Sequence, residues 1–198
     1  MTYTMMGRCS RSGHIGYAIA TVSLNVGVVC PAVSRAGDLI VSQAYTNRRL
    51  KAEGARRLDE GMGAADLMAH LVTTDPHFSY RQTGILKRDG DLAVDTGEDC
   101  KAWKGHVTGD GWLAMGNVLA NEGVAQAMGA AFAESADQLL GERLMRALEA
   151  GRDAGGQKDL EGRHYTERSG RVATYGWDDD GYPELSEVDV RVDVHPTA

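Results

Sequence analysis

A chain of 198 residues is long for a minimal domain and short for two, so it reads as one domain over 1–198 that needs no disulfide or metal staple. Its 42% hydrophobic and 25% charged residues exclude disorder, and a net charge of -7 disfavours nucleic acid or an anionic membrane as main partner. Cys9, Cys30 and Cys100 are far apart and odd in number, which predicts reduced thiols in a cytoplasmic protein and no disulfide framework.

The pattern opens on a hairpin: a strand over 2–9 that starts at Thr2, directly behind Met1, turn chemistry over 10–13, and a strand over 14–22 with Ile15, Tyr17 and Ile19 on one face. The uncharged run 15–33 is broken by Gly16, Thr21, Ser23, Asn25, Gly27 and Pro31. It reads as buried strand plus turn, in preference to a signal peptide or a membrane helix. A further strand over 38–45 carries Leu39, Ile40 and Val41, a run apolar enough to be covered on both sides.

The period changes over 48–74. Leu50, Leu58 and Met62, then Leu67, Met68, Leu71 and Val72, fit two helices broken at Gly61 and Gly63, and Asp75-Pro76 ends the second. The basic cluster Arg48, Arg49, Lys51, Arg56 and Arg57 alternates with acids, as a solvated helix face does. Strands over 80–86 and 91–95 flank the hairpin signal Asp89-Gly90. Residues 121–151 form two helices, capped by Asn121 and Ser135 and ended by Gly151. A polar loop over 153–170 precedes strands over 171–177 and 187–195. In the last, Val188, Val190, Val192 and Val194 alternate with charges, which predicts one buried and one wet face. Strands in runs between pairs of helices mean α+β, with helix pairs flanking stacked sheets.

Familiar catalytic motifs are absent. No GxxxxGK[ST], GxSxG or HExxH occurs, Gly61-Met62-Gly63 completes no dinucleotide fingerprint, and the six histidines form no close pair. The polar stretches Ser42 to Asn47, Asp95-Thr96-Gly97, Gly105-His106 and Gly116-Asn117 read one by one as helix caps and tight turns. Arg81-Gln82 is different: a polar pair within a strand, beside Ile85, needs partners. Thr2 is the remaining candidate. Removal of Met1 leaves it an α-amine of unperturbed pKa about 7.7–8.0 on the same residue as its hydroxyl, the N-terminal threonine form of nucleophilic catalysis.

Together these stretches resemble the bacterial family known as domain of unknown function 1028, of the N-terminal nucleophile (Ntn) hydrolase superfamily. The matching pieces are Gly16 to Ala20, Val26 to Pro31, Ser42 to Asn47, Asp75-Pro76, Tyr80 to Gly84, Asp95 to Gly97, Gly105-His106, Gly116 to Leu119, Ala147 to Gly151 and Val190 to Pro196. They run in order along nearly the whole chain. The chain departs from the family pattern after Gly155-Gly156, where Gln157 opens a longer polar loop, and at Thr21, where serine is usual.

The resemblance implies a four-layer αββα sandwich of two stacked, mainly antiparallel sheets flanked by helix pairs, with a hydrolase-like site at the first strand. The expected catalytic residues are Thr2 as nucleophile with Asn117, Gln43 or a backbone N–H at the oxyanion. Arg81, His106, Asn47 and Thr96 are expected to bind the substrate, a small-molecule amide or a peptide, with no metal and no cofactor. The rival expectation is a non-catalytic ligand-binding or assembly protein on the same fold. Alternating apolar strands and Ala/Gly-rich helix faces suit a homo-oligomer.

Overall fold

The structure, a computed structural model, describes residues 1–159 and 161–194; His195 and Pro196, counted above in the last strand and the family pattern, lie outside them. The chain folds in the order β1 (Thr2–Arg8), β2 (Ile15–Thr21), the single helical turn α1 (Val26–Val29), β3 (Pro31–Val33), β4 (Leu39–Ala44), α2 (Arg48–Asp59) and α3 (Ala64–Thr74). It continues through a 3-10 turn at Phe78–Tyr80 into β5 (Arg81–Leu86), β6 (Leu92–Thr96), β7 (Lys104–Gly109), β8 (Trp112–Asn117), α4 (Gly123–Glu134), α5 (Leu140–Asp153), β9 (Ser169–Trp177) and β10 (Pro183–Asp193).

Two antiparallel sheets result. One has the order β10-β9-β2-β1-β8-β7 and the other β3-β4-β5-β6. The period-2 rows of each strand sort its side chains between layers. Tyr3 and Met5 of β1 join Val124, Met128, Phe132, Leu144 and Ala147 of α4 and α5 on the outer face of the larger sheet. Met6 of β1, with Ile15, Tyr17, Ile19, Leu39, Val41, Leu113 and Met115, fills the space between the sheets. Ile40 and Ile85 turn the other way, onto Leu50, Leu58, Leu67 and Leu71 of α2 and α3. The architecture is thus the expected α+β sandwich, with helices outside and two sheets within.

Several local features follow from the residues that the sequence offers. Asn47 caps α2, its Oδ1 accepting from the N–H groups of Arg49 (3.0 Å) and Leu50 (3.3 Å). Gly61, at φ 86°, breaks the path between α2 and α3. Arg56 and Arg57 pair with Glu53 and Glu60 on the solvated side of α2, as expected, whereas Lys51 of the same basic cluster turns in to donate to the Val28 (2.6 Å) and Pro31 (2.8 Å) carbonyls.

Four expectations change. The hairpin β7–β8 stands where only tight turns were expected, because Gly105, Gly109 and alternating polar residues disguise β7. Ser135 does not cap α5: its hydroxyl donates to the carbonyls of Ala131 (2.8 Å) and Phe132 (3.3 Å) and so closes α4. Gly151 lies inside α5, which runs on to Asp153. The valine row of β10 is not buried, with Val190, Val192 and Val194 about half exposed. Among the described residues no helix is long and apolar enough to cross a membrane.

Candidate functional site

The rows that fill the middle layer all end in polar residues at one end of the sandwich. Down β1 the row is Met6, Thr4, Thr2; along β2 it runs through Ile19 to Thr21; along β8 it runs from Leu113 and Met115 to Asn117. The smaller sheet matches it with Gln43 on β4, Gln82 on β5 and Thr96 on β6. The same alternation that buries the apolar middle therefore gathers a polar cluster at its end. Register completes the geometry, since Thr2 lies opposite Thr21 on one side and Asn117 on the other.

Thr2 is 6% exposed. Its Oγ1 donates to the Met1 carbonyl at 2.6 Å and stands 3.2 Å from Thr21 Oγ1, which also donates to the Met1 carbonyl. Two hydroxyls thus converge on the carbonyl of the Met1–Thr2 peptide. Burial lowers the pKa of the Met1 amine, whose neighbours include the thiols of Cys30 and Cys100 and the cation of Lys101.

Beneath Thr2 lies a closed amide network. Gln43 Oε1 accepts from Thr4 Oγ1 at 2.6 Å, while Gln43 Nε2 donates to Gln82 Oε1 at 2.7 Å and reaches the Thr2 carbonyl at 3.5 Å. Asn117 Nδ2 donates to the same Gln82 oxygen at 3.0 Å. Gln82 Nε2, which carries two hydrogens, in turn lies within hydrogen-bond reach of three acceptors, Thr96 Oγ1 (2.8 Å), the Gly116 carbonyl (2.9 Å) and the Gly105 carbonyl (3.1 Å), and shares its hydrogens among them. Gln82 ties both sheets together and is the hub of the cluster. The polarity of Arg81-Gln82 within a strand was the signal for it.

Backbone strain sits at two positions beside the cluster. Ala44, immediately after Gln43, has φ 67°, and Val118, immediately after Asn117, has φ 54°. Neither is glycine, so each left-handed turn is held by its surroundings, a feature that gathers at functional sites. The polar segment after α5 closes in from outside: Lys158 N–H donates to the Val118 carbonyl (3.1 Å) and Arg168 N–H to the Thr21 carbonyl (2.9 Å). Glu167 anchors that segment, accepting from Tyr3 Oη (3.0 Å) and Gln157 Nε2 (3.1 Å).

The remaining expected residues divide in two. Thr96 joins the network through Gln82 and bonds His106 Nδ1 at 2.8 Å, so these two extend the cluster toward solvent. Burial lowers the His106 pKa, opposed by Asp95, whose own carboxyl is pushed up by burial. Arg81 and Asn47 meet elsewhere, at Asp75. Arg81 Nε donates to Asp75 Oδ2 at 3.0 Å and Nη1 to the Tyr45 carbonyl, and Asn47 Nδ2 donates to Asp75 Oδ2 at 2.9 Å. Asn47→Ala, which removes both this bond and the α2 cap, is expected to cost about 1–2 kcal/mol of unfolding free energy by urea titration.

Two surface clefts open on this side of the molecule. One of about 450 Å³ runs beside Thr96 and is walled by Phe78, Ser79, Asp95, Gly97 and Glu98. The other, about 200 Å³, lies over Asn47 and Asp75. Thr2 lines neither. Gly97 brings the main chain after β6 so close to that of Ser79 and Arg81 that a Cβ has no room there.

A family model described as a family of unknown function, DUF1028, matches residues 2–198. The crystal structure of protein SPO2555 from Silicibacter pomeroyi, of the same family model, is similar with a TM-score of 0.84 and 29% identity, over 98% of this chain and 79% of that one. A weaker likeness, TM-score 0.43 and 13% identity over 98% of this chain and 89% of that one, is to Anbu (ancestral beta-subunit) from Yersinia bercovieri. No curated protein matches the sequence.

Proposed function

We propose that this chain, which belongs to the DUF1028 family of unknown function, is an Ntn-type hydrolase that cleaves an amide or peptide bond with Thr2 as nucleophile once Met1 is removed. The observation that carries the reading is the convergence of Thr2 Oγ1 and Thr21 Oγ1 on the Met1 carbonyl, at the polar end of the middle layer. Loss of Met1 opens that position and leaves the Thr2 α-amine beside its own hydroxyl. In the free chain such an amine titrates near pH 7.7–8.0, and burial of the kind that acts on the Met1 amine favours its neutral, basic form.

The amine takes the hydroxyl proton as Oγ1 bonds to the substrate carbonyl carbon, and the carbonyl oxygen becomes the oxyanion. Of the two side-chain amides, Asn117 is the better oxyanion donor. Its NH₂ carries two hydrogens and gives one to Gln82, whereas Gln43 directs its two to Gln82 and the Thr2 carbonyl. Collapse returns the proton to the leaving amine, and water activated by the same α-amine frees the acyl group from Oγ1. His106 and Thr96, at the open end, suit a polar group of the substrate. Arg81 and Asn47 hold the neighbouring wall through Asp75. A cytoplasmic location fits three cysteines that are all free thiols.

The test is the intact mass of the protein isolated from its own cells, followed by an amide-directed electrophile such as a β-lactone. The expected result is a chain lacking Met1 that takes one label, with labelling abolished in Thr2→Ala. Met1 retained throughout, or labelling unchanged in Thr2→Ala, overturns the reading. Ligand-dependent thermal stabilisation that survives Thr2→Ala then marks the non-catalytic alternative.

A further inference from the structure

Strand β10 is one edge of the six-stranded sheet, with β7 at the other. Exposed sheet edges invite pairing with another chain, and proteins usually blunt them with charges, bulges or a covering element. Here Val190, Val192 and Val194 are 53%, 52% and 50% exposed. They share the face of Val172, which packs in the layer beneath α5. Val188 continues the row inward, so close to Gly141 that a Cβ there would strike it. Met145, one turn along the same flank of α5, and Leu139, just before the helix, are exposed as well.

The main chain of β10 has a definite free side. Val194 N–H donates to the Arg168 carbonyl at 2.7 Å, and Val188 N–H is taken by Thr174 Oγ1 at 3.1 Å. Even-numbered residues therefore turn their main chain toward β9. By the alternation of an antiparallel ladder, Asp189, Arg191 and Asp193 turn theirs to the open edge. Among the described residues no main-chain group pairs with them there.

We infer that this edge pairs with the same edge of a second copy of the chain, as an antiparallel β10–β10 pair whose two-fold axis passes at Val192. Because only odd-numbered residues have outward main-chain groups, odd must face odd across the pair. Charge then selects among the central registers. An axis at Arg191 sets Asp189 against Asp193 and Arg191 against its own copy, and like charges directly opposite are destabilising; one at Val190 runs the pair into the register shift between Leu185 and Asp189, where the Glu187 carboxylate is already held by the Gly141 N–H and His14. An axis at Val192 sets Arg191 against Asp193 twice and Val190 against Val194 twice, with no like-charged pair. Val192 meets its own copy in the closer, non-hydrogen-bonded type of pair. The two valine rows then form one apolar strip, flanked by Met145 and Leu139 of each α5 region. Strand β10 thereby becomes internal in a continuous sheet, and its alternation of valine and charge gains the buried face that one copy alone does not supply. Such an interface is isologous, the commonest symmetry of soluble oligomers.

Light scattering across a concentration series is expected to give the mass of two chains for the unaltered protein. The double variant V190K/V192K is expected to be monomeric with an unchanged far-UV spectrum. Arg191→Asp and Asp193→Arg are each expected to weaken association by about tenfold or more, and the combined variant to restore it. Val192→Cys is expected to cross-link to itself under mild oxidant, whereas the unaltered chain, whose three thiols are buried, does not. A monomer at every concentration overturns the inference. So does a dimer that persists in V190K/V192K, or one in which Val192→Cys never cross-links. If V190K/V192K fails to fold, the charge-swap series decides alone.

Discussion

Replacing Gln82 by leucine is expected to lower the unfolding free energy by about 3–5 kcal/mol, one of the largest effects of any single side chain here. Leucine fills much of the same volume, so the loss is of hydrogen bonds and not of packing. The deleted amide leaves Gln43 Nε2 and Asn117 Nδ2 without their acceptor and the buried Gly116 carbonyl without this donor, while Thr96 Oγ1 keeps its bond to His106. Each buried group left unpaired costs about 1–3 kcal/mol. The total is held below the sum because neighbouring members of a network do not add independently. Gln43 and Asn117 are 0% and 1% exposed, so bulk water does not reach these two amides without opening the sandwich. Urea titration measures the change. A loss under about 1 kcal/mol shows that the cluster repairs itself and that Gln82 is no hub.

The second large effect is expected at Asp75. Asp75→Asn leaves the Arg81 guanidinium, 7% exposed, without its counter-charge, and breaking a buried pair from one side costs about 3–5 kcal/mol. Acid probes the same contact in the unaltered protein. Burial by itself raises the Asp75 carboxyl, but hydrogen bonds from Arg81, Asn47 and the His77 N–H outweigh it and bring the pKa to about 2. The unfolded value is about 3.9. A carboxyl depressed by folding contributes stability above its unfolded pKa and loses it as pH falls through the folded one. Stability is therefore expected to decline from about pH 4 toward pH 2, and Asp75→Asn to flatten that decline. Denaturant titrations at a series of pH values test it. An acid slope unchanged in the variant removes Asp75 as its cause.

The layers were legible in the sequence because their signal is periodic. Ile15, Tyr17 and Ile19 predicted a strand face, and Leu50, Leu58, Met62, Leu67, Met68, Leu71 and Val72 two helices; the strand residues and the four leucines are buried, Met62 and Met68 pack partly buried against that core, and Val72 is exposed. What escaped was held by contacts distant in sequence. Strand β7 carries glycine at 105 and 109 and no apolar run, so only pairing with β8 makes it a strand. Ser135 has the chemistry of an N-cap, yet its hydroxyl turns back to the preceding helix. The valines of β10 alternate as a buried face does, and no local rule says whether the cover comes from the same chain.

The candidate site shows the same division. Thr2 is named from the α-amine that loss of Met1 would give it, Gln43, Asn117, Thr96 and His106 from polarity and family pattern, and the fold brings all five to one end of the middle layer. Their link is Gln82, noticed in the sequence only as a polar residue in want of partners. Arg81 and Asn47 also belong to the polar residues of this end, but Asp75 draws them to a separate contact. Pairing in space, and not residue type, makes that separation.

The central place of β1 in its sheet sets a clock. Its neighbour β2 follows at once, but Thr2 gains Asn117 only after some 115 further residues have been made, which takes roughly 6–23 seconds at a synthesis rate of about 5–20 residues per second. Until then the first strand is an open hairpin edge, and a processing enzyme can reach its amino end. Once β8 docks, Thr2 is inside the sandwich. On the proposed mechanism, the step that makes the nucleophile thus belongs to the time of translation, and a chain that misses it folds around its own blocked site.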